Sequence, residues 1–203
     1  MLLLHVCCGP CAIPVLERYF KRLKAGQNNL VLYFDNPNIW PFKEKEKRLD
    51  AVAKIADLYQ TKLMLGSAPH SEWRAFLKSK LSQPLRSYSE NGERCSACFE
   101  FRLEKTALFA KQNNFQEFAT TLSLSRFKDT KSINQFGKKL AKKYGLIYQA
   151  LKQNYSKKQT KEQRFAEHKK NIEFCQKHDL YRQKYCGCEF SLPQAFDSKK
   201  LKV

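Results

Sequence analysis

The chain has 203 residues, with 38 Lys+Arg against 19 Asp+Glu and a formal net charge of +19. That length supports a sizeable core without demanding a second independent domain. No apolar run approaches a membrane span, and the opening MLLLHV has neither the basic start nor the length of a secretory signal, so the expectation is a cytoplasmic location with no membrane partner.

LLLHV is short, apolar and followed by turn residues, the pattern of a buried strand. After it Ile13, Leu16, Phe20 and Leu23 share one helical face, with Pro14 tolerated in the first turn and Gly26 as a stop. NLVLYFDN gives a second strand, closed by the turn-rich NPNIWP. A helix follows from about Phe42, with Leu49, Val52, Ala56 and Tyr59 on one face. TKLMLG is a third strand, and SEWRAFLKSKL a short helix. Cys95 and Cys98 open a helix in which Phe99, Leu103, Ala107 and Ala110 recur at helical spacing. FQEFATTLSLS is the next β-rich run. Ile133, Phe136, Leu140 and Tyr144 mark a helix closed by Gly145, and LIYQAL is a last strand.

Beyond Leu151 a polar, basic loop, KQNYSKKQTKEQR, precedes a helix around FAEHKKNIEFCQKH, and the tail from Phe190 is expected to be loosely held. Strands alternating with helices require crossovers, which predicts a single α/β domain over residues 1–203, with a mostly parallel sheet flanked by helices and a basic C-terminal region over about 152–203.

The excess of positive charge suits a polyanion, because each neutralised phosphate releases counterions. Lysine doublets between residues 138 and 170 concentrate it in the C-terminal half.

Eight cysteines stand at positions 7, 8, 11, 95, 98, 175, 186 and 188, and seven of them fall in tight groups. In a reducing compartment such grouping points to metal or redox chemistry rather than to stapling disulfides. In open parallel sheets ligands bind beyond the carboxyl ends of the strands, and CCGPC follows the first strand. A phosphate-binding protein would have glycines with a serine or lysine there. Adjacent Cys7 and Cys8 are awkward for one tetrahedral ion but can reach two irons of a cluster or one metal each. Cys11, near a helix start, gains thiolate character from the macrodipole. Cys95 and Cys98 repeat this logic with C-x-x-C spacing, so two thiol groups at helix N-termini can converge on one metal centre, with zinc the main competitor to iron–sulfur.

Cys186 and Cys188, separated by one glycine, read as a strained, easily reduced disulfide, as further ligands or as structural residues. Cys175 reads as packing and His5 as a hydrogen-bonded core histidine. Asp35 and Asn36 reach the same sheet edge, either to orient a substrate or to cap the following turn. Arg48, Arg94 and Arg102 are candidates for phosphate or base contacts.

HVCCGPC, YFDNPNIWP, ERCSACFEFRLEKTA, FATTLSLSRFKDTKSI and LYRQKYCGCEFS occur in that order from His5 to Ser191. Together they resemble the epoxyqueuosine reductase QueH family. The resemblance implies a Rossmann-like domain similar to the PP-loop, nucleotide α-hydrolase fold. It also implies reduction of the cyclopentane epoxide of epoxyqueuosine in tRNA to the alkene of queuosine, without cobalamin and with an unidentified electron donor. It further implies a [4Fe-4S] cluster on Cys7, Cys8, Cys95 and Cys98 with an additional iron, or zinc as purified, beside it. Cys11 falls where some relatives have aspartate and is the expected ligand of that second metal. Cys186 and Cys188 are expected near the centre, relaying electrons. In this setting the positive charge would meet tRNA phosphates, with Trp40, Phe42 and Tyr88 as stacking candidates.

Two other readings compete. An ATP-dependent PP-loop-type tRNA-modifying transferase would need a phosphate loop where the thiols stand. A zinc-stabilised RNA-binding module would explain the charge and C-x-x-C but not the adjacent cysteines of CCGPC. The sequence leaves the oligomeric state open.

Overall fold

The computed structural model describes residues 1–21, 29–125, 127–151 and 160–191. Five strands, β1 (Leu2–His5), β2 (Leu30–Phe34), β3 (Lys62–Leu65), β4 (Glu117–Thr120) and β5 (Ile147–Tyr148), form an all-parallel sheet in the order β3-β2-β1-β4-β5. Six helices flank it: α1 (Gly9–Phe20), α2 (Phe42–Leu58), α3 (His70–Lys80), α4 (Glu93–Gln112), α5 (Thr130–Tyr144) and α6 (Lys161–Lys177). The chain winds outward from β1 to β3 on one side, then crosses to β4 and β5 on the other. The architecture is the Rossmann-like α/β arrangement expected, and its switch point lies between β1 and β4, where such sheets take ligands.

Strands covered on both faces read as continuous apolar runs, and LVLYF is buried at every position. Side chains alternate between the two faces. Leu3, Val31 and Tyr33 enter a core shared with Leu103 of α4 and Ile133 and Leu140 of α5. Leu4, Leu30, Leu32 and Phe34 enter the opposite core with Ile13 and Leu16 of α1, Val52 and Ile55 of α2, and Cys175 of α6. Each fully buried aliphatic side chain contributes about 1.5–3 kcal/mol of transfer free energy. A third, smaller cluster packs Trp73 and Leu77 of α3 on Phe101 of α4, with Cys98 and Cys188 at its margin.

Local chemistry explains where elements start and stop. Gly9 lets α1 begin against α2, since a Cβ there would lie 2.9 Å from Ile55 Cδ1 and 3.0 Å from the Ala51 carbonyl oxygen. Pro14 sits inside α1 rather than in its first turn. Its missing N–H leaves the Pro10 carbonyl without the helical donor, and Asn171 Nδ2 of α6 donates to that oxygen at 3.0 Å.

Several expectations are corrected. FQEFATTLSLS is a strand only to Thr120, because the Thr120 hydroxyl accepts from Leu122 N at 3.1 Å and turns Thr121–Leu124 into a 3-10 segment. β5 is only two residues long, pairing Ile147 and Tyr148 with Glu117 and Phe118 of β4. α6 starts at Lys161, within the stretch expected to be loop. Phe190 is not loosely held, for its ring lies under the Arg94 guanidinium at 4.7 Å and 6.0 Å from the Trp73 ring. Leu23, Gly26, residues 152–159 of the basic loop and the tail from 192 lie outside the described residues. Among the described residues, no helix is long and apolar enough to cross a membrane.

Candidate metal centre and its thiol neighbourhood

β1 ends at His5, and Val6, Cys7 and Cys8 follow at the carboxyl edge beside the switch point. Cys8 is extended at the N-cap of α1, and the first helical turn folds Cys11 back toward it. The Sγ atoms of Cys7, Cys8 and Cys11 consequently all lie within 4.8 Å of one another, Cys7 and Cys8 buried and Cys11 half-buried. Cys7 Sγ and Cys8 Sγ are 3.9 Å apart, and Cys7 Sγ is 3.9 Å from Thr121 Oγ1 at the end of β4. Sulfurs about 2.3 Å from a shared thiophilic ion stand at this kind of spacing.

Within the trio Cys7 gives up its proton most readily. Hydrogen bonds from Cys11 and then Cys8 hold the Cys7 thiol well below its ordinary range, against the cost of burial. The donors move the other way: Cys8 is pushed well up, and Cys11 up to about 12, each mainly through its bond within the trio. A cation entering the trio would displace the remaining protons, as thiolate coordination requires.

Cys95 and Cys98 stand at the opening of α4, as expected, both buried. Cys95 Sγ accepts from the Asn91 amide at 3.3 Å. Burial raises the Cys95 thiol and pushes Cys98 up to about 11. Among the described residues these two do not join the close trio. Cys95 packs in the core cluster that holds Cys7 and Cys8, Cys98 in the one that holds Cys188, and negative charge at Cys186 adds to the rise of both thiols.

That turn is held from a distance. Arg48 of α2, 2% exposed, donates from Nη1 to the Cys186 carbonyl and from Nη2 to the Tyr185 carbonyl, both at 3.0 Å. Its Nε binds Glu44 Oε1 at 2.7 Å, and the Tyr181 hydroxyl donates to Glu44 Oε2 at 2.6 Å. Gly187 has a φ of +102°, and a Cβ there would lie 2.7 Å from Arg48 Nη1. Trp40 N donates to the Gly187 carbonyl at 2.7 Å, and the Tyr185 hydroxyl to the Trp40 carbonyl at 2.8 Å.

The disulfide expected at 186–188 is not found: all eight cysteines are free. The two thiols hydrogen-bond instead, Cys188 packs into the Trp73 cluster, and its Sγ reaches Ser191 Oγ at 3.6 Å. The bond from Cys188 lowers the Cys186 thiol to about 6, against burial, with help from Lys128 and Arg102. Those two cations also act on Cys7. The β1–α1 trio, the α4 pair and the CGC turn therefore share one electropositive neighbourhood.

The three arginines proposed for phosphate or base contacts are instead buried and committed to the protein. Arg48 holds the CGC turn. Arg94 donates to the Leu85 and Tyr88 carbonyls at 2.8 and 2.6 Å, and Arg102 to the side-chain oxygen of Asn36. Asn36 in turn donates to the Val6 carbonyl at 2.9 Å, bracing the ends of β1 and β2 rather than capping a turn. Asp35 is buried and accepts from the Tyr33 hydroxyl at 3.1 Å, with burial raising its carboxyl. His5 is buried with Nδ1 2.8 Å from Thr120 Oγ1, and burial lowers its imidazole to about 3, so it is neutral. Trp40 and Phe42 are exposed, and Trp40 stacks on His70 at 5.3 Å. Tyr88 is half-buried, its hydroxyl accepting from Gln83 N at 2.9 Å.

Sequence reading missed Lys128, the Glu44–Arg48 pair and Gln183, whose Nε2 lies 2.9 Å from Cys8 Sγ. The i, i+4 spacing of Glu44 and Arg48 was the one visible signal. A Rossmann-like sheet with a thiol cluster, rather than a glycine-rich phosphate loop, at its switch point defines a thiol-centred α/β protein equipped to hold a metal. The family model described as "Epoxyqueuosine reductase QueH" matches residues 2–194, and the chain belongs to that family. Similar proteins carrying the name epoxyqueuosine reductase QueH include that of Histophilus somni, 34% identical over 94% of this chain and 72% of the relative, and that of Haemophilus influenzae, 34% identical over 94% and 71%. The Thermotoga maritima protein of that name is 30% identical over 94% of this chain and 89% of its own length.

Proposed function

We propose that this chain is an epoxyqueuosine reductase, an oxidoreductase that converts the cyclopentane epoxide of epoxyqueuosine in tRNA to the alkene of queuosine. The carrying observation is the trio of Cys7, Cys8 and Cys11 sulfurs within 4.8 Å at the switch point of a chain that belongs to the QueH family.

Deoxygenation of the epoxide takes two electrons and two protons, and the oxygen leaves as water. In this reading Cys7, Cys8, Cys95 and Cys98 hold a [4Fe-4S] cluster, and Cys11 holds an additional iron. The donor set fits such a group: five thiols at two helix starts, beside the cations Arg102 and Lys128. When bound, it would supply low-potential electrons and a Lewis-acidic site for the epoxide oxygen. The chain's own residues do the rest. Buried Asn36 and Arg102 fix the strand ends that carry the cysteines, while Arg102 and Lys128 stabilise negative charge at Cys7 and Cys186. Arg48 keeps Cys186 and Cys188 beside Cys98, where they act as the relay from an external electron donor. The net charge of +19 supplies the attraction for tRNA, with Trp40 and Phe42 as exposed stacking surfaces.

The test is anaerobic purification with iron and sulfide analysis, followed by single turnover on tRNA bearing epoxyqueuosine. The expected outcome is a brown protein with more than four irons that forms queuosine without cobalamin. A colourless zinc protein with no turnover would overturn the reading.

A further inference from the structure

The segment between α6 and the CGC turn makes a contact with the cysteine trio that the mechanism above does not use. Gln183 Nε2 lies 2.9 Å from Cys8 Sγ, and this contact joins residues 175 positions apart. The other end of the same amide, Oε1, is buried without a partner. A glutamine kept for packing or for a backbone bond would satisfy its acceptor, because an orphaned buried oxygen costs about 1–3 kcal/mol. Among the described residues the carboxamide's hydrogen-bond partner is the sulfur. An amide N–H is the right donor for a thiolate, which carries no proton to offer in return.

We propose that Gln183 is a positioning residue for Cys8: its N–H···S bond orients that sulfur and tempers its charge when the trio binds a metal. The assignment rests on the reading of Cys8 as a metal ligand. Two physical consequences follow. Outer-sphere hydrogen bonds fix the direction of a ligand lone pair, and their loss typically lowers metal affinity by about 10–100-fold. A donor on sulfur also draws electron density from the metal–thiolate bond, so it shifts the energy of the sulfur-to-metal charge-transfer band and the redox potential of the site. Gln183 lies three residues before Cys186, whose carbonyl Arg48 holds. One stretch of chain therefore touches both thiol groups.

The experiment uses the full-length chain stripped of metal and titrated anaerobically with Co²⁺, following the cobalt–thiolate absorption. Wild type and C8S establish the band that depends on Cys8. Q183L removes the donor, and Q183E does so with nearly unchanged size, which covers the case in which Q183L fails to fold. The expected result is Co²⁺ affinity weaker by about 10–100-fold in both variants, with a displaced charge-transfer band. A purely structural role would lower thermal stability but leave the band energy where it was. Wild-type affinity and an unshifted band in Q183E would overturn the proposal alone. A wild-type chain that gives no Cys8-dependent band would overturn the metal reading and the proposal with it.

Discussion

The two cysteine turns of this molecule reach their geometry by opposite routes. Cys7, Cys8 and Cys11 are assembled locally: a strand ends, a helix begins at Gly9, and one helical turn brings the third sulfur to the other two. Cys186 and Cys188 have no such scaffold. Their turn is fixed by Arg48, 138 positions away in sequence, and by the backbone of Trp40. The first turn is a property of a short peptide placed at a sheet edge, while the second is a property of the whole fold. Damage far from the second turn should thus disturb it more than comparable damage disturbs the first.

Breaking the Arg48 clamp tests this difference at its largest. Arg48→Met leaves Glu44 buried without its cation and two carbonyls without donors, and removal of one partner of a buried pair costs about 3–5 kcal/mol. Urea denaturation should show that loss, whereas Cys11→Ala, which removes one half-buried thiol, should move the midpoint far less. Equal midpoints for the two variants would remove the contrast.

Cys188→Ala sharpens the comparison within the dithiol. Cys188 donates to Cys186 and holds that thiol down to about 6. Without the donor, burial prevails more, and the Cys186 thiol should rise toward ordinary thiol values. The rate of iodoacetamide alkylation at Cys186 against pH reads this directly: the inflection moves up, so labelling near neutrality slows. An inflection that stays near 6 would assign the depression to Lys128 and Arg102 instead.

Gly187→Ala is a smaller backbone test of the same turn. A φ of +102° strains any L side chain, and the new Cβ would press on Arg48 Nη1. A cost of about 1–3 kcal/mol is expected, read as a lowered urea midpoint, and a midpoint equal to that of wild type would show that the turn absorbs the strain.

The same contrast explains how much of the protein was legible in its sequence. Runs such as LVLYF and the spacing of Ile133, Phe136 and Leu140 revealed strands and helices because buried faces impose a period. CCGPC and CSAC revealed candidate ligands because both open helices. The β-rich run FQEFATTLSLS is longer than the strand because β propensity does not register a threonine hydroxyl that caps a turn, as Thr120 does. Arg48, Arg94 and Arg102 read as candidates for phosphate or base contacts because no local pattern reveals that a guanidinium is buried against carbonyls or a carboxamide. Gln183 was invisible for the same reason: its partner lies at the other end of the chain.

The smallest effect belongs to the ion pair that joins α4 and α5 away from the thiols. Lys143 Nζ lies 2.6 Å from Glu104 Oε1, and the Tyr144 hydroxyl donates to the same oxygen at 3.1 Å. Partial burial would raise the Glu104 carboxyl, but the bonds from Lys143 and Tyr144 outweigh it and hold the group below its ordinary value. A depressed carboxylate contributes stability that is fully present above the unfolded glutamate value, about 4.3, and that is lost as pH falls through the folded value. Lys143 is exposed and Glu104 only half-buried, so solvent and salt screen the interaction. Lys143→Met should therefore leave the denaturation midpoint near wild type at high salt and lower it slightly at low salt and neutral pH. That difference should fade as pH drops below the unfolded glutamate value and vanish once it has fallen past the depressed folded value, where Glu104 is protonated in both chains. A Lys143→Met effect as large as that of Arg48→Met would show that burial is not what separates the two pairs.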